Sequence, residues 1–243
     1  MKILSIGNSF SDDAQRYLHE IAAAEGIDIE TFNLCIAGCS LETHAAKVKN
    51  SGERAYFYHY NGDVECGELI SLEDGISMRD WDVVTIQQAS PYSFKAETFY
   101  PYIHEVVAYV REKLPKAKIY IHQTWAYEHG CERVMRVTDG GGTELMLAGI
   151  REAYSRAKTE ISAEAIIPSG ELMELLYQNK ASKIYRDTFH ASLGLGRYAV
   201  GLLWFKLFTG RSVLNNTFSS FDEEVSAEDL AIARRCVESL DFI

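Results

Sequence analysis

Two short stretches near opposite ends of the chain carry the residue types that nucleophilic hydrolysis requires. Ser9 follows a short apolar run, residues 3–6, and the tripeptide Gly7-Asn8-Ser9 is typical of a turn from a buried strand into a helix. Asp187 precedes His190 by three residues. This spacing lets the carboxylate reach the imidazole and hold one tautomer of the ring. A hydroxyl nucleophile, an orienting carboxylate and an imidazole base, in the order Ser…Asp…His, are the components of a catalytic triad.

Each stretch also has a purely structural explanation. Ser9 and Ser11 suit the N-terminus of the helix that follows, because serine hydroxyls cap the free N–H groups there. Asp187 suits the cap of a turn, with His190 near the start of the next helix. Either stretch alone favours capping, whereas the two together in one chain favour catalysis.

The rest of the pattern predicts alternating strands and helices. Apolar runs predict five strands, at residues 3–6, 27–34, 81–86, 118–122 and 165–167. Helical spacing occurs at residues 14–24, 41–49, 99–114, 143–159, 169–177, 192–208 and 226–240. This alternation predicts a single α/β domain, residues 1–243, with a five-stranded parallel sheet and helices on both faces. Ligands bind at the carboxyl edge of such a sheet, where Ser9 is expected.

One segment interrupts the alternation. Arg54 begins a strongly aromatic run, and Asn61-Gly62 after it is a strong hairpin signal, so we expect a β-hairpin insertion at about 54–70. Its aromatic side chains suit sugar stacking, a structural cluster or contact with a second copy of the chain, which leaves a homo-oligomer open. These aromatic residues are Tyr56, Phe57, Tyr58, His59 and Tyr60.

Composition limits the partners and the compartment. The 243 residues carry a net charge of −11, which argues against nucleic acid or an anionic membrane as the main partner. No apolar run spans a bilayer, and Met1 leads directly into the first strand, so we expect a cytoplasmic protein without a signal peptide. The five cysteines include no pair at zinc-binding or redox spacing, which predicts idle thiols and no metal site.

The chain resembles the SGNH or GDSL-like hydrolase family. The first block of that family, Gly-Asp-Ser-Leu/Phe, matches residues 7–10, with Asn8 in place of the aspartate. The last block, Asp-x-x-His, matches Asp187 to His190, and Gly38 fits the lone glycine of the second block. The third block, Gly-x-Asn-Asp, is absent, and Gln87-Gln88-Ala89-Ser90 stands in its place. Since glutamine carries the same amide as asparagine, Gln87 is the first choice for the missing side-chain donor and Gln88 the second.

The resemblance implies a flavodoxin-like three-layer fold and hydrolysis of oxygen esters. Ser9 would attack the ester carbonyl with His190 as base, and the N–H groups of Ser9 and Gly38 would hold the oxyanion with the Gln87 amide. No cofactor or metal is expected, and the expected partner is a small-molecule ester.

The substrate is predicted less directly. His122, Trp125 and Tyr127 follow the fourth strand at the active edge and are expected to contact the substrate. We expect removal of an acetyl or similar small acyl group from a carbohydrate. The alternatives are a thioesterase or phospholipase of the same fold, or a catalytically inert binding protein on this scaffold.

Overall fold

A computed structural model describes residues 1–63 and 68–242. Within these residues a seven-stranded sheet lies at the centre, in the order β4-β3-β2-β1-β5-β6-β7. The strands are β1 (Lys2–Gly7), β2 (Glu30–Cys35), β3 (Arg54–Tyr60), β4 (Ile70–Ser71), β5 (Val83–Ile86), β6 (Lys118–His122) and β7 (Ile166–Ile167). β2, β1, β5, β6 and β7 run parallel, whereas β3 is antiparallel to β2 and to β4.

The mixed sheet corrects the prediction of a five-stranded, purely parallel one. The aromatic segment, β3, pairs antiparallel with β4 as the two arms of a hairpin do, with Tyr56 opposite Ile70. It is also part of the main sheet, because β3 pairs along the open edge of β2, with Cys35 opposite Phe57 and Phe32 opposite Tyr60. An unpaired strand edge leaves backbone N–H and C=O groups free, and β3 supplies their partners. Asn61 extends the pairing, since its side chain accepts from the Thr31 N–H at 2.9 Å. The central part of the predicted return strand lies outside the described residues.

Ten α-helices and one 3₁₀ helix are found among the described residues. They are α1 (Ser9–Gln15), α2 (Leu18–Ala23), α3 (Leu41–Lys49), α4 (Leu72–Ser77), α5 (Tyr102–Lys113), α6 (Glu132–Val137), α7 (Gly142–Ile161), α8 (Ser169–Gln178), α9 (Leu195–Thr209) and α10 (Ala227–Ser239), with the 3₁₀ turn at Ala96–Phe99. The helix expected at residues 14–24 therefore begins five residues earlier and is divided in two.

The sheet separates two hydrophobic cores, one on each face. Alternate residues of β1 point to opposite faces, as in any strand, so Leu4 joins one core and Ile3 the other. The first core packs α3, α5 and α7 on the sheet, and the second packs α1, α2, α8, α9 and α10. The chain is thus an α/β fold with helices on both faces of a mixed sheet.

Helix α9 has an apolar sequence because it is buried between other helices. In its sequence, LGRYAVGLLWFKLFT, ten of the fifteen residues are buried. A Cβ at Gly196 would lie 2.5 Å from the Ile184 carbonyl oxygen and 3.0 Å from Cβ of Ala191, so only glycine allows this approach. Helix α9 therefore packs directly against the loop that carries His190. Within residues 1–63 and 68–242, no helix combines the length and apolarity needed to cross a membrane.

Candidate active site

Ser9 lies where β1 turns into α1, at the carboxyl edge of the sheet. Asn8 is the N-cap of α1, and its Oδ1 accepts from the Phe10 N–H at 3.1 Å. The Ser11 hydroxyl completes a capping box, in which the Asn8 N–H donates to Ser11 Oγ at 3.1 Å. Asn8 and Ser11 thus do the capping, which leaves the Ser9 hydroxyl available for another contact.

That contact is with His190. His190 Nε2 lies 2.8 Å from Ser9 Oγ, and His190 Nδ1 lies 2.7 Å from Asp187 Oδ2. The other Asp187 oxygen accepts from the His190 backbone N–H at 2.9 Å. Since a carboxylate only accepts hydrogen bonds, Nδ1 carries the ring proton and Nε2 is free to accept from the Ser9 hydroxyl. The three side chains form one hydrogen-bonded chain in the order Ser9, His190 and Asp187.

The electrostatics of Asp187 suit an orienting carboxylate. Burial by itself would raise the pKa of Asp187, but the hydrogen bonds from the His190 side chain and backbone outweigh it, and the pKa is lowered. Asp187 is therefore ionised at neutral pH and can stabilise an imidazolium at His190.

Trp125 supports the His190 loop from beneath. Its Nε1–H donates to the Phe189 carbonyl at 2.7 Å, and its ring stacks on Phe10 with a centroid separation of 4.3 Å. The Glu128 N–H donates to the Thr188 carbonyl at 2.8 Å, and Thr188 has a positive φ of 73° within the turn. The segment after β6 thus holds the loop against the start of α1.

The three residues predicted to contact the substrate lie under the site instead. Trp125 and His122 are fully buried, and Tyr127 is 2% exposed, so none offers a ring face on which a sugar could stack. Tyr127 Oη lies 3.0 Å from the Ser90 hydroxyl. The sequence predicted that they lie near the end of a strand at the active edge, and His122 is in fact the last residue of β6, but the direction of the three side chains was not predicted.

Gly38 lies in a tight turn after β2, beside the N-terminus of α1. The Cys39 N–H donates to the Ile36 carbonyl at 3.0 Å, and Gly38 has a φ of +64° between them. Glycine suits this position because other residues rarely adopt a positive φ. Asn8 Nδ2 donates to the Cys39 carbonyl at 3.0 Å and fastens the turn to the helix cap.

Gln87 belongs to a buried hydrogen-bonded relay that ends at the cap of the Ser9 helix. Gln87 Nε2 donates to Asn8 Oδ1 at 2.6 Å, and Gln87 Oε1 lies 2.6 Å from His122 Nδ1. Burial lowers the pKa of His122 to about 3, so the ring is neutral. Its Nδ1–H donates to Gln87, and Nε2, 3.1 Å from Ser169 Oγ, accepts from that hydroxyl. His122 thereby fixes the orientation of the Gln87 amide.

Gln88 points elsewhere, as the alternation of an extended chain requires. Its Oε1 accepts from the Leu41 N–H at 2.9 Å, and its Nε2 donates to the Thr98 carbonyl at 2.9 Å. Gln88 would have to break these contacts to reach an oxyanion at Ser9. Gln87 differs, because its amide nitrogen carries two N–H groups and the contact with Asn8 uses one of them. Gln87 could therefore donate its second N–H without breaking that contact.

A cavity that the sequence did not indicate adjoins Gln88. Its volume is about 310 Å³, and three tyrosines and two glutamates contribute to its lining: Tyr92, Tyr100, Tyr102, Glu42 and Glu97. The aromatic segment after β5, residues 92–102, is the sequence feature that could have indicated this cavity, because it contains most of these lining residues. In the described ranges, no three His, Cys, Asp or Glu side chains are grouped as metal ligands would be.

Comparison with known proteins identifies a family. A family model described as a domain of unknown function, DUF4886, matches residues 2–239. The crystal structure of a DUF4886 family protein from Bacteroides uniformis ATCC 8492 is 31% identical, with a TM-score of 0.91. The match covers 98% of this chain and 93% of that one. A search of curated proteins found no match.

Two more distant structures share the fold. A candidate SGNH hydrolase from Slackia heliotrinireducens is 19% identical, with a TM-score of 0.61 over 86% of this chain and 98% of its own. The acetyl xylan esterase Axe2 from Geobacillus stearothermophilus is 16% identical, with a TM-score of 0.50 over 85% of this chain and 92% of its own. The chain therefore shares the fold of these two structures, and it belongs to the DUF4886 family.

Proposed function

We propose that the protein is a serine hydrolase that cleaves oxygen esters. The hydrogen-bonded chain from Ser9 through His190 to Asp187 carries the proposal, with separations of 2.8 Å and 2.7 Å. Similarity of the scaffold to hydrolases supports it. A binding protein that makes no use of the Ser9 hydroxyl has no need of a base at hydrogen-bonding distance, which argues against the inert alternative.

The reaction proceeds in two halves. Ser9 Oγ forms a bond to the ester carbonyl carbon while His190 Nε2 takes the hydroxyl proton, and the carbonyl oxygen becomes an oxyanion. As the tetrahedral intermediate collapses, the bond to the alcohol oxygen breaks and His190 returns its proton to that oxygen. Water then attacks the acyl-enzyme with His190 again as base, which releases the carboxylic acid and restores Ser9.

The oxyanion is stabilised by donors from three segments of the chain. Ser9 is the first residue of α1, so its N–H has no partner within the helix, and the Gly38 N–H takes no part in the Cys39–Ile36 turn bond. The second N–H of Gln87 is the third donor, held beside the Asn8 cap by His122. Such donors act on charge that exists only in the transition state.

Gln87→Ala is expected to lower kcat on p-nitrophenyl acetate roughly a hundredfold, with little change in KM, because ground-state binding is spared. Gln123→Ala is the matched control: Gln123 is a buried glutamine just after β6, and its Oε1 accepts from the Gly170 N–H at 3.0 Å. The control is expected to keep the native kcat even if its melting temperature falls. A native kcat in Gln87→Ala would show that Gln87 is not a donor and that the backbone N–H groups of Ser9 and Gly38 form the oxyanion hole alone.

The substrate proposed is a small acyl ester, such as an acetyl ester, of a carbohydrate. The cavity beside Gln88 supports this choice, because Ser40, two residues after Gly38, also lines it and its lining combines tyrosine rings with carboxylates. Tyrosine rings suit stacking on sugars, and carboxylates accept hydrogen bonds from hydroxyl groups. The glutamates also disfavour the phosphates of phospholipids and coenzyme A thioesters, the substrates of the alternative hydrolases.

A panel of esters tests the substrate class. Acetylated neutral sugars and p-nitrophenyl acetate are expected to react faster than the octanoyl ester or acetyl-coenzyme A, as measured by kcat/KM. Each methylene that found an apolar channel would add about 0.8 kcal/mol of favourable burial, so a long channel would produce a rising profile with chain length. A rising profile would instead indicate a lipase or thioesterase.

A further inference from the structure

The helix that begins at Ser9 carries a second group on the same face. Asp13 lies four residues after Ser9 in α1, and residues at this spacing stand one above the other on a helix. The Asp13 side chain is fully buried, with 0% exposure. A buried carboxylate is costly unless several donors satisfy it, so its partners define its role.

Three donors converge on Asp13. Oδ2 accepts from the Ala191 N–H at 3.1 Å, and Oδ1 accepts from Arg186 Nη1 at 2.8 Å and from Arg197 Nε at 2.9 Å. Burial raises the pKa of Asp13, while the two guanidinium groups oppose that shift by favouring the carboxylate. Arg197 also donates to Asp222 at 3.1 Å, so its charge has a second counterion.

These contacts fasten the His190 loop to α1. Ala191 directly follows His190, so two consecutive loop residues meet one face of the helix, His190 at Ser9 and Ala191 at Asp13. Arg186, which directly precedes Asp187, donates from Nη1 to the Ala191 carbonyl at 2.5 Å and from its backbone N–H to the His190 carbonyl at 3.1 Å. The segment that carries both the base and its orienter is thus closed on itself and anchored at Asp13.

We propose that Asp13 is a positioning residue, which holds His190 Nε2 within reach of Ser9 Oγ through its contacts with Ala191 and Arg186. This inference rests on the proposed function. Asp13 acts on the distance between nucleophile and base, and a misplacement of about 1 Å between reacting groups costs about a hundredfold in rate. Loss of the Asp13 charge should therefore lower kcat and leave KM unchanged, because the substrate does not touch this residue.

Asp13→Asn is the direct test, with p-nitrophenyl acetate as the probe. We expect kcat to fall about 30- to 100-fold, with KM within about twofold of the native value. Asp229→Asn is the matched control, since Asp229 is also a buried carboxylate and accepts from the Ser182 N–H at 2.9 Å, away from the triad. The control is expected to lower the melting temperature and keep kcat.

A double-mutant cycle separates positioning from general damage. If Asp13 acts through His190, Asp13→Asn should have no further effect on the residual hydrolysis of His190→Ala. If Asp13 only stabilises the fold, the same loss of activity should occur in both backgrounds. Equal losses, or a native kcat in Asp13→Asn alone, would overturn the inference.

A second variant covers the case in which Asp13→Asn does not fold. Arg186→Met keeps most of the side-chain volume, leaves Arg197 to neutralise Asp13, and removes the contacts to Asp13 and the Ala191 carbonyl. It is expected to lower kcat about tenfold, again only when His190 is present. A native kcat in Arg186→Met would count against the inference. The two failures can be told apart. Native turnover by Ser9→Ala would overturn the proposed function and this inference together, whereas a native kcat in Asp13→Asn or Arg186→Met would count against the role of Asp13 alone.

Discussion

Ser9→Ala and His190→Ala are each expected to lower kcat on p-nitrophenyl acetate by about 10⁵- to 10⁶-fold, while the protein stays folded. In the proposed mechanism, alanine at position 9 removes the hydroxyl oxygen that forms the acyl-enzyme. Alanine at position 190 removes the imidazole nitrogen that lies 2.8 Å from that oxygen and would act as the base. Because the two groups act as a unit, the double variant should be hardly slower than either single one. The measurement is kcat, with the melting temperature as evidence of folding.

Ser11→Ala is the matched control for this result. Ser11 is a second serine on the same helix, but its hydroxyl lies in the capping box with Asn8. Its loss should cost about 1 kcal/mol of stability and leave kcat within severalfold of the native value. Near-native turnover by Ser9→Ala, or a collapse of activity in a folded Ser11→Ala, would contradict the assignment of the nucleophile.

Asp187→Asn is expected to lower kcat by about a thousandfold or more, without loss of the fold. An asparagine can still accept from the His190 backbone N–H, which Asp187 now does at 2.9 Å. Facing His190 Nδ1, however, its amide favours the tautomer with the proton on Nε2, and that nitrogen can then no longer accept from Ser9. The pKa of Asp187 is lowered, so the native carboxylate is ionised at neutral pH and its charge is lost in the variant.

Glu160→Gln is the control for the Asp187 variant. It neutralises another carboxylate beside a histidine, His104, in an exposed pair 3.3 Å apart on α5 and α7. Its kcat should remain native, because neither residue belongs to the triad. A native kcat in Asp187→Asn would contradict the role of Asp187 and show that other contacts orient His190.

Local sequence signals were sufficient where the structure depends on neighbours in the chain. The apolar run before Gly7 predicted the strand-to-helix turn at Ser9, and α1 does begin there. The spacing of Asp187 and His190 predicted a contact, because three residues are enough for one turn to bring the side chains together. Alternation along an extended chain likewise explains why Gln87 and Gln88 point in different directions.

Features that depend on distant partners were not predictable in the same way. The aromatic segment at residues 54–60 has strand propensity, but nothing local specifies that it pairs with the edge of β2. Trp125 follows a strand at the active edge, yet Phe10 and the Phe189 carbonyl draw its ring inward. The partners of Asp13 lie more than 170 residues away in the chain, so no local signal indicates its role.

Covalent labelling by a fluorophosphonate tests the central claim most directly, because the reagent reacts with a serine only when a base activates it. The account predicts one adduct per chain, mapped to Ser9 by peptide mass spectrometry. It predicts no adduct in Ser9→Ala and strongly slowed labelling in His190→Ala. The absence of an adduct on the native protein, or an adduct that persists in Ser9→Ala, would contradict the account.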